Sequence, residues 1–168
     1  MNHRIDLLRN LPPAATVAEI GVMAGNFMHD IWEARPDLTY YGVDTWEGRF
    51  ETYYQGAIKT AFGKPQLHLI RMPSVQAATK FPDGFFDLVY IDALHTRQAV
   101  LDDIAAWHPK VKKGGILAGH DYEMKPPMDG WEAIEVKEAV DNWAAQMLYS
   151  VNVIQETAPS WWIQRAQR

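Results

Sequence analysis

Apolar and polar residues follow two rhythms along the chain, and the switches between them predict its elements. Val17, Ala18 and Ile20, with Glu19 among them, form a short run ending at Gly21; Phe27, Ile31 and Ala34 then recur at helical spacing and stop before Pro36. The pattern is strand, glycine turn, helix. It repeats: Thr39 to Val43, ending at Asp44, is β-branched and aromatic, and Phe50, Tyr53, Tyr54, Ala57, Ile58, Ala61 and Phe62 follow at three-to-four spacing up to Gly63. Leu67 to Met72 predicts a third strand, Ser74 an N-cap for a short helix to about Phe81, and Pro82-Asp83-Gly84 a turn into a fourth strand, Asp87 to Ile91. A helix with Val100, Leu101, Ile104 and Trp107 on one face closes at Gly114-Gly115, before a fifth strand from Ile116 to Gly119. A helix from about Trp131 to Tyr149 precedes Val151 to Gln155 and Trp161 to Gln164, two strands whose short connection through Pro159 suits an antiparallel pair. Ahead of all this, residues 1–15 hold a short amphipathic segment, Ile5, Leu7, Leu8 and Leu11, that stops at Pro12-Pro13. The domain proper is expected to begin after it.

Strands alternating with helices imply an α/β, Rossmann-like doubly wound parallel sheet with helices on both faces, and a ligand at the C-terminal ends of the strands. With 168 residues, 48% of them hydrophobic, the chain is read as one domain, 1–168, with a substantial core. Cysteine is absent, which removes thiolate nucleophiles, redox pairs and thiolate zinc sites. A net charge of -5 with no basic run disfavours a nucleic-acid partner. No apolar stretch approaches the ~18 residues of a membrane span and the N-terminus has no signal-peptide core, so a cytoplasmic location without membrane contact is expected.

Gly21 and Gly25 lie in the first strand-to-helix turn, where a backbone without Cβ lets a ligand come close and Asn26 can open the helix. Asp44 ends the second strand about twenty residues past Gly25, where an acid accepts hydrogen bonds from ribose hydroxyls. A nucleoside ligand follows. NAD requires a G-x-G-x-x-G turn against its pyrophosphate; here the spacing is Gly21-x-x-x-Gly25, and Glu19 would repel phosphates. The same acid suits the ammonium and sulfonium of S-adenosylmethionine, unless Glu19 is only a solvated strand-end carboxylate.

Asp92 and His95 follow the fourth strand, and His120 and Asp121 end the fifth, so four ligands or proton carriers converge on one sheet edge. Two carboxylates suit Mg²⁺, which lowers the pKa of a bound hydroxyl; His120 as a nitrogen ligand favours Mn²⁺ or Fe²⁺. Alternatively His95 or His120 serves alone as a base, because imidazole titrates near neutrality. In the bland reading Asp92 caps a helix and His120 is a hydrogen-bonded core residue. Tyr122 to Gly130, with Met124, Pro126, Pro127 and Met128, is the candidate substrate-covering loop. Trp107 and Trp143 are assigned to helix packing, Trp46 and Trp131 to the mouth. His3, His29, His68 and His108 are assigned no catalytic role.

The E-x-G-x-x-x-G turn, GVDTW, FDLVYIDALH and GGILAGHDY resemble the motifs of class I S-adenosylmethionine-dependent methyltransferases, and more narrowly the small-molecule O-methyltransferase branch that includes macrolide-sugar methyltransferases. The resemblance runs from about Val17 to the C-terminus and implies strand order 3-2-1-4-5-7-6 with strand 7 antiparallel. It implies that Glu19, Gly21 and Gly25 contact the methionine part of the cofactor, that Asp44 holds the ribose, and that Trp46 and Ser74 meet the adenine. Asp92 counts among the cofactor contacts and, with Asp121, matches the family's metal acids, His120 standing in place of the first acid of a pair; the metal set is then Asp92, His120 and Asp121, with Mg²⁺ or Mn²⁺. His95 matches the candidate general base. The expected activity is O-methylation of a small-molecule or sugar hydroxyl. The alternatives are a non-catalytic nucleoside-binding domain, as a sensor or complex subunit, and an NAD-dependent oxidoreductase. Relatives add N-terminal helices or insertions over the acceptor; with about fifteen residues ahead of the first strand, either an open acceptor site or one completed by a second subunit is expected.

Overall fold

The computed structural model describes residues 1, 3–123 and 134–167. Seven strands form one sheet in the order β3-β2-β1-β4-β5-β7-β6. They are β1 (Thr16–Ile20), β2 (Thr39–Asp44), β3 (Leu67–Arg71), β4 (Phe86–Ile91), β5 (Val111–Gly119), β6 (Asn152–Ile154) and β7 (Ser160–Gln164). β1 through β5 pair in parallel, whereas β7 runs antiparallel to both β5 and β6. This is the Rossmann-like order expected for a methyltransferase, with its antiparallel seventh strand.

The helices are α1 (Asn26–Ala34), α2 (Glu51–Ala61), α3 (Ser74–Ala78), α4 (Arg97–Trp107) and α5 (Val136–Met147). Because successive strand residues point to opposite faces, each strand feeds two cores. On one face Val43, Val89 and Ile91 pack with Ala77 of α3, Ile104 and Trp107 of α4 and Val140 of α5. On the other, Val17, Tyr40, Leu88 and Tyr90 pack with Phe27, Met28 and Ile31 of α1 and Ala57 of α2. All six residues of β4 are buried, as its place between β1 and β5 demands.

Three local expectations are revised. Residues 1–15 are not a prelude to the domain: Arg4–Leu8 is a 3-10 helix whose Leu7 and Leu8 join the second core, each burial worth about 1.5–3 kcal/mol. Arg35, at the end of α1, secures the segment by donating to the carbonyls of Leu8, Leu11 and Pro12 at 2.8, 3.3 and 3.0 Å. β5 begins at Val111, so Gly114-Gly115 lies inside the strand, where the pairing with β4 shifts register between Phe86 and Leu88. Finally, the apolar stripe of α2 is mostly uncovered: of its own residues only Ala57 is buried, while Tyr53 and Ile58, like flanking Phe50 and Phe62, are exposed. Among the described residues no helix is long and apolar enough to cross a membrane.

Candidate active site

The C-terminal edge of the parallel strands carries two adjoining constellations. The first is the glycine turn after β1. Gly21 has φ +92°, and a Cβ there would stand 1.9 Å from the carbonyl oxygen of Asp92, so the end of β4 packs directly onto it. Gly25, at φ +84°, precedes the first residue of α1 and is its N-cap; Asn26 lies one step inside the helix. Between them Met23 takes a left-handed φ of +50°. Among the described residues, three of the five non-glycine residues with positive φ, Met23, Trp46 and Asp121, sit at this edge, the distribution expected where backbone strain serves a site.

Asp44 ties this turn to the loop after β2. Its Oδ2 accepts from the amides of Val22 and Met23 at 3.0 and 2.9 Å, and its Oδ1 from the amide of Trp46 at 2.8 Å. Oδ2 is thereby filled by two amides, whereas Oδ1, with one, retains a second lone pair that a ribose hydroxyl could use. Trp46 itself is 0% exposed: its indole donates to the Met23 carbonyl at 2.8 Å and its ring packs 4.7 Å from Tyr54. The ring therefore supports the turn from behind. Ser74 is likewise engaged elsewhere. Its hydroxyl donates to Asp103 and accepts from the Trp107 indole at 2.8 Å, pinning α3 to α4, and Pro73 takes the N-cap position expected for Ser74.

Glu19 is no solvated strand-end acid. It is 2% exposed, paired in register with Gly42 and Tyr90, and accepts a hydrogen bond from the Tyr40 hydroxyl. Gly42 makes room, since a Cβ there would lie 2.9 Å from that phenol oxygen. Burial pushes the Glu19 carboxyl up to about 8, against the pull of the Tyr40 bond, so it holds its proton at neutral pH.

The second constellation joins the ends of β4 and β5. His95 Nε2 lies 2.8 Å from Asp121 Oδ2, and His120 Nδ1 lies 3.2 Å from Asp121 Oδ1 and 3.7 Å from Asp92 Oδ1. Asp121 is thus shared by two imidazoles, its backbone at φ +55°, a conformation Asp tolerates better than most residues. Burial works against its charge, but the hydrogen bonds from His120 and His95 hold the Asp121 carboxyl well below the usual range. Burial also lowers His120, yet Asp121 and Asp92 outweigh it and the ring stands above its ordinary value. Burial raises Asp92, opposed chiefly by His120. One donor atom each from Asp92, His95 and Asp121 fall within 4.8 Å of one another. That trio of two carboxylates and an imidazole is a chemically apt cradle for Mg²⁺ or Mn²⁺; its nitrogen comes from His95, whereas the sequence reading assigned His120 to the metal. A narrow pocket beside it is lined by Ala93, Leu94, His120, Val136 and Trp161.

Sequence reasoning missed Arg4, which the N-terminal 3-10 helix delivers to this edge, 3.9 Å from Asp92 and 4.4 Å above the Phe27 ring. It also missed the chain beneath, in which Tyr90 shares a 2.8 Å hydrogen bond with Ser160, and Ser160 donates to Glu156 at 2.7 Å. No local signal announces either, because each joins residues far apart in sequence. The expected substrate loop, Tyr122 to Gly130, lies outside the described residues beyond Glu123, as does Trp131. Its flanks are tied down: the Tyr122 amide donates to Pro159 at 2.9 Å, and the Glu135 amide donates to the His95 carbonyl at 2.8 Å.

The same fold recurs among solved structures. An O-methyltransferase family protein from Burkholderia thailandensis superposes with a TM-score of 0.72 at 17% identity, over 96% of this chain and 55% of that one. A precorrin-6y C5,15-methyltransferase from Geobacter metallireducens GS-15 gives 0.72 at 12% identity, over 96% and 84% of the two chains. A SAM dependent methyltransferase from Aquifex aeolicus gives 0.69 at 14% identity, over 96% and 89%. The chain therefore spans just over half the length of the first of these. At such identities the likeness shows the fold. No curated protein matches the sequence. A family model does: that of a methyltransferase domain, over residues 18–122, from β1 past the end of β5. The fold is that of class I, SAM-dependent methyltransferases. This chain belongs to the methyltransferase-domain family, and S-adenosylmethionine, not NAD, is the cofactor which that family implies.

Proposed function

We propose that the protein transfers the methyl group of S-adenosylmethionine to a hydroxyl of a small molecule, with Gly21, Gly25 and Asp44 on the cofactor side and the buried, protonated Glu19 beneath the turn, where it does not supply the negative charge expected of it from the sequence. The observation that carries this reading is the meeting of Asp92, His95, His120 and Asp121 at the edge of β4 and β5, next to Gly21. Methylating oxygen requires removal of one proton, and imidazole is the side chain suited to that near neutral pH.

The geometry divides the labour. His120 lies outside the cation cradle and is the general base: it takes the acceptor's hydroxyl proton, the oxygen bonds to the methyl carbon, and the carbon–sulfur bond pair returns to sulfur, leaving the neutral thioether S-adenosylhomocysteine. Asp121 orients the ring and stabilises the imidazolium through the 3.2 Å contact. Asp92, His95 and Asp121 would hold a divalent cation, which supplies Lewis acidity that lowers the acceptor's pKa. In-line placement of sulfur, carbon and oxygen supplies most of the remaining acceleration.

A calorimetric titration of metal-stripped protein with S-adenosylhomocysteine, with and without Mn²⁺, tests the reading. Micromolar binding establishes the cofactor, and a separate Mn²⁺ heat lost in Asp92→Asn establishes the cradle. Absence of nucleoside binding under both conditions would sink the proposal. The acceptor is then sought by incubating labelled cofactor with panels of hydroxylated small molecules, including sugars, catechols and hydroxy acids.

A further inference from the structure

The least expected residue at the site is Arg4. The segment carrying it is anchored independently of the chemistry, by the buried Leu7 and Leu8, by the reciprocal cap in which His3 accepts from the Ile5 amide at 3.2 Å and the Asp6 carboxylate accepts from the His3 amide at 3.4 Å, and by the clamp of Arg35. The Arg4 side chain is 19% exposed. It stacks on Phe27, faces the Tyr90 hydroxyl and lies 3.9 Å from Asp92 Oδ2, while the other oxygen of Asp92 faces His120. Glu156 and Glu19 complete its acidic surroundings.

Asp92 therefore stands between two resources. On one side are His95 and Asp121, with which it makes the cation cradle; on the other is a cation tethered by the chain itself. Arginine keeps its charge at any working pH, so this partner cannot be lost by titration, only by displacement or mutation. Two close carboxylates such as Asp92 and Asp121 repel one another unless positive charge lies nearby. Arg4 adds to the charge that His120 and His95 bring before any ion binds, and opposes the arrival of a further cation at the same carboxylate.

We propose that Arg4 is a positioning residue that acts as a tethered counter-ion of Asp92, competing with a divalent cation for it and so setting the cation affinity of the site. The proposal rests on the cation cradle invoked under the proposed function. It commits the N-terminal segment to a part in the chemistry: the side chain swings off Asp92 as a cation is taken up, while Leu7 and Leu8 hold the backbone in place.

The test is a Mn²⁺ titration, read by the electron paramagnetic resonance of free Mn²⁺, on full-length wild type and on the Arg4→Gln, Arg4→Met, Arg4→Lys and Asp92→Asn variants, each saturated with S-adenosylhomocysteine. Arg4→Met preserves the aliphatic contact with Phe27, so it remains informative if the glutamine variant folds poorly. Both neutral variants are expected to bind Mn²⁺ roughly ten-fold more tightly than wild type, Arg4→Lys to stay near wild type, and Asp92→Asn to lose binding. Unchanged or weaker affinity in the neutral variants, with wild type binding and Asp92→Asn not, would overturn the role of Arg4 and leave the cradle standing. Failure of wild type and both neutral variants to bind Mn²⁺, while the nucleoside still binds, would remove the cradle and this inference with it.

Discussion

The two halves of the C-terminal edge are built from different materials. Around the glycine turn the parts are backbone: amides of Val22, Met23 and Trp46 on the Asp44 carboxylate, and a carbonyl of β4 packed where Gly21 has no Cβ. At the ends of β4 and β5 the parts are charged side chains, Asp92, His95, His120, Asp121 and Arg4, held mainly by one another. The first half is fixed by sterics and answers to shape. The second is a balance of charges and answers to pH, ions and single-atom substitutions. Glu19 is the exception, a titratable group inside the rigid half.

Four substitutions probe that contrast. The largest effect is expected for Gly21→Ala, which drives a Cβ into the Asp92 carbonyl at an unfavourable φ; destabilisation of about 4 kcal/mol or more, read by urea unfolding, is expected to leave little folded protein. Equal stability to wild type would show that the half is plastic after all. In the charged half, His120→Ala should slow methyl transfer by about 10²–10⁴-fold while thermal unfolding moves little. Since the neutral ring is the active form, and Asp121 and Asp92 raise it only while no cation sits on them, wild-type activity should rise with pH through a midpoint that moves down when Mn²⁺ is added.

Glu19→Gln comes third. The folded-state pKa of about 8 lies above the ordinary 4.5, so the folded protein keeps a proton that the unfolded chain releases. The associated stability is complete below about pH 4.5, falls as pH rises, and is gone above about 8. The variant should lack that slope and exceed wild type by about 2–4 kcal/mol at pH 8.5, measured as denaturant midpoints across pH. A slope that persisted would locate the pH sensitivity in the charged half instead. The smallest change is expected for Asp44→Asn, which keeps at most two of the three amide bonds because its amide nitrogen cannot accept, and should cost about 1–2 kcal/mol of stability, with a parallel loss of nucleoside affinity in calorimetry.

Much of this edge is legible in the sequence. The strands from β1 to β5 follow from runs of β-branched and apolar residues closed by glycine, proline or acid, and Gly21, Asp44, Asp92, His95, His120 and Asp121 fall on the C-terminal edge because each lies at a strand end or within four residues past one. What is not legible depends on neighbours brought from elsewhere. Trp46 reads as a mouth residue until Met23 takes its indole, Ser74 as a ligand contact until Asp103 and Trp107 take its hydroxyl, and Glu19 as a charged partner for the cofactor's ammonium and sulfonium until burial and the phenol of Tyr40, across Gly42, leave it protonated. The exposed stripe of α2 errs in the other direction: helical spacing shows that one face is apolar, not that anything covers it.

The place of β7 carries a kinetic consequence. It is the last strand in sequence yet lies inside the sheet, between β5 and β6, and it brings Ser160 against Tyr90 of the central strand. The sheet's outer strands are β3 and β6, and among the sheet strands β6 pairs with β7 alone. Docking of β6 must therefore await β7, and a nascent chain halted short of Ser160 keeps β5 as a raw edge beside the acids and histidines. Amide exchange should report this as a shared unit, with the β6 and β7 ladders opening together and their protection rising last during refolding.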